Sequence, residues 1–153
     1  MMTTASEVIA KLSGKTLVTA ESLTGGGIGA ALTAVPGASR VMKGGIISYT
    51  NAVKQEMLGV SAEDLQRYGA VSTPVAIAMA QGARKALRAD VAVSATGLAG
   101  PGGDEFDHPV GTVFLGYADA EKSLVRECHF SGDREMVRIQ TIEAALSFIL
   151  ANL

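Results

Sequence analysis

Ser22 has the best setting for chemistry in this 153-residue chain. It lies in Val18-Thr-Ala-Glu-Ser-Leu-Thr-Gly-Gly-Gly27, where a strand-like run over 16–20 stops at an acid and a hydroxyl. Three glycines then lead into the alanine-rich helical pattern of 28–35. At such a strand–turn–helix junction, backbone N–H groups and the positive helix end converge on one point. Ser22 is placed there either to cap the helix or to attack something bound. Thr24, Gly25 and Gly26 are the candidate anion cradle.

A serine is a weak nucleophile until a neighbour takes its proton. Histidine is the usual base, but His108 stands beside Pro109 in a glycine-rich segment and His129 on the solvent side of an alternating strand. A Ser-His-Asp arrangement is therefore not expected. Tyr49-Thr-Asn-Ala-Val-Lys54 supplies another base. With Asn51 read as a helix cap, Lys54 falls in the first helical turn, where the positive helix end disfavours an ammonium. Burial beside Tyr49 would lower its pKa further, and a neutral lysine is what a Ser-Lys mechanism requires. The alternative is a solvated Lys54 and a core Tyr49.

A third segment, Thr96-Gly-Leu-Ala-Gly-Pro-Gly-Gly103, follows the small apolar run Val-Ala-Val-Ser-Ala at 91–95. A buried strand ending in glycines marks the carboxyl edge, where open α/β sheets bind ligands. Thr96, Gly97 and Gly100 are candidate binding residues, and an ordinary long loop is the alternative. Arg134 follows the helix cap Asp133 and shares a face with Arg138, which fits either phosphate binding or a wet helix surface. Cys128 and the methionines read as packing residues. No Cys/His cluster has zinc spacing, so neither a metal nor another cofactor is expected.

The elements that must position these residues follow the order β-α-β-α-α-β-β-β-α after a first helix. That helix opens at Thr4-x-x-Glu7, read as a capping box, and stops at Gly14. Strands are expected over 15–20, 41–50, 91–95, 112–118 and 124–130. Asn51 caps a short helix ended by Gly59, Ser61 opens a further helical turn, and Thr73-Pro74 starts a helix running to about Leu87. Asp133 opens the last helix, with Ile139, Ile142, Leu146, Ile149 and Leu150 facing the core. The pattern implies one domain over 1–153, a three-layer α/β/α fold with a mixed sheet whose last strands pair antiparallel.

Composition narrows the function classes. The net charge is -2, with Lys and Arg scattered, which is no footprint of a nucleic-acid-binding surface. One cysteine forms no disulfide framework and fits a reducing compartment. Glu7 and Lys11 interrupt the first apolar pattern, so no secretory leader is expected, and no apolar run approaches the roughly 20 residues a membrane span needs. A cytoplasmic protein is expected.

Taken in order, Ala20-Glu-Ser-Leu-Thr-Gly-Gly26, Pro36-Gly-Ala-Ser39, Gly44-Gly-Ile-Ile-Ser-Tyr-Thr-Asn51 with Lys54, Gly69-Ala-Val-Ser72, the 96–103 segment, Pro109-Val-Gly-Thr112 and Phe130-Ser-Gly-Asp-Arg134 resemble the CinA carboxy-terminal-domain family over nearly the whole chain. The resemblance implies an amidohydrolase converting nicotinamide mononucleotide and water to nicotinate mononucleotide and ammonia. Carried over by position, it makes Ser22 the nucleophile, Tyr49 and Lys54 its activating partners, and both glycine segments the lining of a nucleotide pocket. The implied partner is a small nucleotide, with no nucleic acid or membrane; self-association into a homo-oligomer is left open. Leu23 stands where many relatives carry cysteine, and residues 104–108 depart from the family's more usual glycine-and-lysine loop. Many members have a further N-terminal molybdopterin-binding-like domain, for which these residues hold no counterpart. A second reading, a nucleotide-binding or competence-associated regulatory module without turnover, explains the glycines equally well but not Ser22, Tyr49 and Lys54 together.

Overall fold

The computed structural model describes residues 2–153. Five strands, β1 (Leu17–Glu21), β2 (Met42–Ile47), β3 (Val91–Gly97), β4 (Thr112–Ala118) and β5 (Ser123–His129), form one sheet in the order β2-β1-β3-β4-β5. β1 runs parallel to β2 and β3, while β3, β4 and β5 pair antiparallel, which makes the sheet mixed as expected.

The helices are α1 (Thr4–Lys11), α2 (Gly27–Thr33), α3 (Asn51–Leu58), α4 (Ala62–Tyr68), α5 (Thr73–Leu87) and α6 (Arg134–Asn152). Alternation along the strands sends Leu17, Val91, Val93, Val113 and Leu115 to one face, under α1, α2 and α6. Val18, Ala20 and Ala92 go to the other, under α3, α4 and α5 through Leu58, Leu65, Val75 and Met79. That is the expected three-layer arrangement. Ser94 Oγ donates to Ala76 O at 2.6 Å, so small residues in β3 let α5 lie close on the sheet.

Element edges differ from the sequence reading where capping decided them. Thr3, Thr50 and Ser72 are the N-caps of α1, α3 and α5, each one residue before the expected Thr4, Asn51 and Thr73. Adjacent polar residues compete for a cap, and the one with extended backbone wins: Thr50 has φ -95, ψ 159 and accepts the Val53 N–H at 3.3 Å. The helical turn expected after Ser61 is the seven-residue α4. β1 begins later than expected and takes in Glu21, β2 covers only the middle of 41–50, and β5 lies one residue earlier than expected. In α6 Leu146 and Ile149 are buried as expected, but Ile139 is 57% exposed, not core-facing, and Val137, Thr141, Ala145 and Phe148 are buried besides. No helix among the described residues is long and apolar enough to cross a membrane.

The chain leaves β1 through α2 to reach β2 on one side, then returns through α5 to β3 on the other. Glu21, at the carboxyl end of β1, sits between Ile47 of β2 and Ala95 of β3. Three parallel strands therefore end together at the point where the winding reverses, the place where open sheets leave a crevice.

Candidate active site

Ser22 follows β1 directly. Its N–H donates to Ala95 O at 3.0 Å, which fixes it to β3, and its carbonyl accepts the Gly25 N–H at 3.1 Å to close a turn. Gly25 and Gly26 have φ of +58 and +99, a backbone that side chains other than glycine rarely adopt. Arg138 of α6 reaches the same turn, its Nε donating to Leu23 O at 2.9 Å and its Nη2 to Thr24 O at 3.3 Å.

The positive end of α2 is filled from within the protein. Glu21 is 2% exposed, and its carboxylate accepts from Thr24 Oγ1 at 2.7 Å, Ile28 N–H at 2.8 Å, Gly29 N–H at 3.0 Å and Thr19 Oγ1 at 3.0 Å. Thr24, expected in an anion cradle, is fully buried and spends its hydroxyl on Glu21. Thr24, Gly25 and Gly26 are absent from the cavity lining. The cradle exists, but a buried carboxylate occupies it.

Lys54 stands in α3, one turn in from the Thr50 cap, and is 1% exposed. Its Nζ lies 3.1 Å from Ser22 Oγ, 2.8 Å from Ser48 O and 3.2 Å from Tyr49 O. Burial lowers its pKa from 10.5 to about 8. As a neutral amine, Lys54 has two N–H groups for the two carbonyls and one lone pair, which then faces the Ser22 hydroxyl.

Tyr49 is placed otherwise than expected. Its side chain is 59% exposed, and its hydroxyl accepts from Arg134 Nη2 at 3.2 Å; only its backbone carbonyl meets Lys54. Arg134 also donates from Nη1 to Gly100 O at 2.8 Å, and so ties the residues after β2 to those after β3. Arg138, which shares its helix face, holds the serine turn. One stripe of α6 thus braces both segments.

Above Ser22 and Lys54 opens a cavity of about 480 Å3, a size common for small-molecule sites. Ser22, Lys54, Tyr49, Thr96, Gly97, Gly100 and Arg134 all line it. Thr96 Oγ1 donates to Ala70 O at 2.8 Å, which joins β3 to the α4–α5 connection. Neither histidine bonds Ser22: His108 Nδ1 is 2.7 Å from Asp104 Oδ2, and His129 Nε2 is 2.6 Å from Glu127 Oε2. Cys128 packs partly buried against the core, and burial raises its pKa. Among the described residues no three His, Cys, Asp or Glu side chains gather to hold a metal.

Sequence reasoning gave no role to Glu21 and left Arg138 undecided. A signal for Glu21 was present. Thr19 and Glu21 share a strand face by their spacing of two, and Thr24 follows at the start of a glycine turn before a helix. A carboxylate so placed is the natural partner of the helix end behind it.

A mixed α/β sheet with a cavity at its switch point, lined by a serine, a buried lysine and a glycine segment, has the architecture of a small-molecule-binding domain. A family model described as the CinA C-terminal domain matches residues 2–153, and the chain belongs to that family. It is 47% identical over 138 residues to the nicotinamide-nucleotide amidohydrolase PncC of Escherichia coli K12, which covers 89% of this chain and 83% of that one. A CinA-like protein of Rippkaea orientalis is 46% identical over 148 residues, 95% of this chain. Several CinA-like relatives are longer proteins, of which this chain spans 26% to 36%. Among solved structures, a CinA-superfamily protein of Escherichia coli superposes with a TM-score of 0.94 at 35% identity, covering 99% of this chain and 91% of that one. A competence/damage-inducible protein of Agrobacterium tumefaciens gives 0.93 at 40% identity, covering 97% and 92%.

Proposed function

We propose that this protein is an amidohydrolase acting on nicotinamide mononucleotide, with Ser22 as nucleophile and Lys54 as its base. The observation that carries the reading is the 3.1 Å contact between Ser22 Oγ and a buried amine whose pKa is lowered to about 8, at the floor of the cavity. Likeness to an enzyme named for this activity supports the substrate class.

In the proposed reaction Lys54 takes the proton of Ser22 Oγ as the oxygen bonds to the carboxamide carbon. The carbonyl oxygen becomes an oxyanion, met by the backbone N–H of Leu23, which lines the cavity and donates to no other group in the turn. The C–N bond then breaks, and Lys54 returns the proton to the departing nitrogen, which leaves as ammonia. Water attacks the resulting ester with Lys54 again as base, and nicotinate mononucleotide departs as Ser22 recovers its proton. Tyr49 contributes its carbonyl to hold the amine, and Arg134, Thr96, Gly97 and Gly100 hold the nucleotide.

Ammonia release from nicotinamide mononucleotide, its riboside and free nicotinamide tests this. The mononucleotide should react fastest by far, and Ser22→Ala should remove nearly all turnover while the chain still binds it. The rate should rise with pH through about 8, because only the deprotonated Lys54 accepts a proton. Binding of the mononucleotide without any ammonia would instead make the chain a nucleotide-binding module.

A further inference from the structure

Residues 104–108 build part of the cavity rim, and the chemistry above gives them no task. Asp104 Oδ1 accepts the N–H groups of Phe106 at 3.2 Å and His108 at 3.1 Å, while Oδ2 meets His108 Nδ1. One carboxylate thus folds the segment around itself. The fold lays the Phe106 ring on Gly69, at the end of α4, where a Cβ atom would sit 2.6 Å from Phe106 Cε2 and 2.7 Å from Cδ2. Only a residue without a side chain leaves room for the ring there. The His108 ring lies 6.5 Å from that of Phe106, between centroids, and 6.3 Å from that of Phe114. Phe106 is therefore a seated aromatic, and with Glu105 it lines the cavity.

Arg134 stands across the mouth, on α6 and so on the opposite face of the sheet from α4. The cavity carries a cation on one side and, on the other, an aromatic ring beside an exposed carboxylate. Nicotinamide mononucleotide has the complementary pattern, an anionic phosphate at one end and a flat, positively charged pyridinium at the other. The face of a phenyl ring attracts a cation within about 6 Å, and a nearby carboxylate adds to the attraction.

We infer that Phe106 and Glu105 are specificity residues for the substrate's ring, selecting an N-substituted pyridinium over an uncharged ring of the same outline. The inference rests on the amidohydrolase reading for its substrate. It adds that the charge of the ring, and not only its carboxamide, is recognised.

The probe is the pair of nicotinamide mononucleotide and its reduced form, whose dihydropyridine ring is neutral while carboxamide, ribose and phosphate are unchanged. Binding is measured by calorimetry on the Ser22→Ala chain, and ammonia release on the unaltered one. The oxidised form should bind about tenfold more tightly, a typical value for a cation–aromatic contact assisted by a carboxylate. Phe106→Leu and Glu105→Gln should each shrink that ratio, and together bring it to within about twofold of unity; Phe106→Tyr, which keeps the ring face, should preserve it. A purely structural role for the segment would weaken both ligands alike and leave the ratio unmoved. Glu105→Gln alters an exposed side chain, so it reads the ratio even where Phe106→Leu disturbs the loop. Equal affinities in the unaltered rim, or a ratio that survives both substitutions, overturn the inference. Ammonia release with equal affinities leaves the amidohydrolase standing and the rim fallen; a tenfold ratio without ammonia does the reverse.

Discussion

The two glycine-rich segments at the carboxyl edge of the sheet look alike in sequence and do opposite work. In residues 21–27 the polar groups turn inward: Glu21 gathers two hydroxyls and two N–H groups, and Arg138 gathers two carbonyls. The glycines there serve a tight turn that presents one hydroxyl, that of Ser22. In residues 97–109 most of the chain is exposed or half-exposed, and its backbone lines the cavity. Arg134 ties it to α6 through Gly100 O, Leu98 bonds the backbone of Gly111 and Thr112, the Phe106 ring rests on Gly69, and Asp104 and His108 bond within it. Glycine content alone therefore does not mark a ligand cradle; what matters is whether the protein has already satisfied the groups that the glycines expose. Substitutions in the first segment should act on the rate and the fold, and those in the second on substrate affinity.

The largest effect is expected at Lys54, which serves the inward segment. Lys54→Met and Lys54→Arg should each lower kcat by about a thousandfold or more, since neither offers a lone pair to Ser22. Their stabilities should diverge. An unfolded lysine keeps its proton up to 10.5 and the folded Lys54 only to about 8, so below pH 8 burial of the ammonium costs about 3 kcal/mol. Stability of the unaltered chain should therefore rise with pH between 8 and 10.5. Lys54→Met removes that burden and, despite leaving Ser48 O and Tyr49 O without a donor, should melt no lower than the unaltered chain at pH 7. Its relative advantage should vanish near pH 10.5. Calorimetric scans at the two pH values measure this, and a Tm for Lys54→Met well below the parent at pH 7 would mean that the three hydrogen bonds outweigh the cost of burial.

Glu21→Gln sharpens the contrast. The amide replaces one acceptor oxygen with a donor that faces donors, at a cost of about 2 kcal/mol or more and about 5 °C in Tm for a domain of this size. Because the Ser22 turn loses its anchor, kcat should fall about tenfold while KM stays within about twofold. A rise in KM at unchanged kcat would place Glu21 in the ligand site and dissolve the distinction between the two segments.

The sequence made much of this arrangement legible, for physical reasons that can be traced. Apolar alternation and the spacing of turn residues marked all five strands. The buried run at 91–95 followed by glycines located the cavity edge; what a serine needs made Lys54 a candidate partner of Ser22 beside the alternative of a solvated lysine, and the family resemblance joined the two. Contacts between residues far apart along the chain were not legible. Arg138 bonds Leu23 and Thr24 over a separation of more than 110 residues, and nothing local distinguishes it from Arg134. Tyr49 was misread for a related reason: β2 ends at Ile47, before the tyrosine, so the ring turns outward although the neighbouring Ser48 is fully buried.

Arg134→Gln belongs to the outward segment and should behave as the mirror image of Glu21→Gln. The guanidinium is exposed, and its two bonds brace the mouth rather than the core. KM for the mononucleotide should rise about tenfold, with Tm within a degree or two of the parent, as for an exposed contact. The loss should be much smaller for a riboside lacking the phosphate. An equal loss for both would show that Arg134 shapes the loop without meeting the anion.

The smallest effect is expected from Tyr49→Phe. A tyrosine so close in sequence to Lys54 invites a proton relay from Ser22 through its hydroxyl. The structure provides no such path: the hydroxyl lies beside Arg134 on an exposed side chain, and the link to Lys54 runs through the main chain, which the substitution leaves untouched. Removing the hydroxyl deletes one exposed hydrogen bond to a charged partner, so kcat should change by less than about threefold. The midpoint of the pH profile near 8 should not move, because the burial that sets the Lys54 pKa is unaltered. KM should shift slightly in the direction of Arg134→Gln, since the same guanidinium loses one of its two partners. A hundredfold fall in kcat, or a displaced midpoint, would return the hydroxyl to the reaction path and require the tyrosine to swing inward when substrate binds.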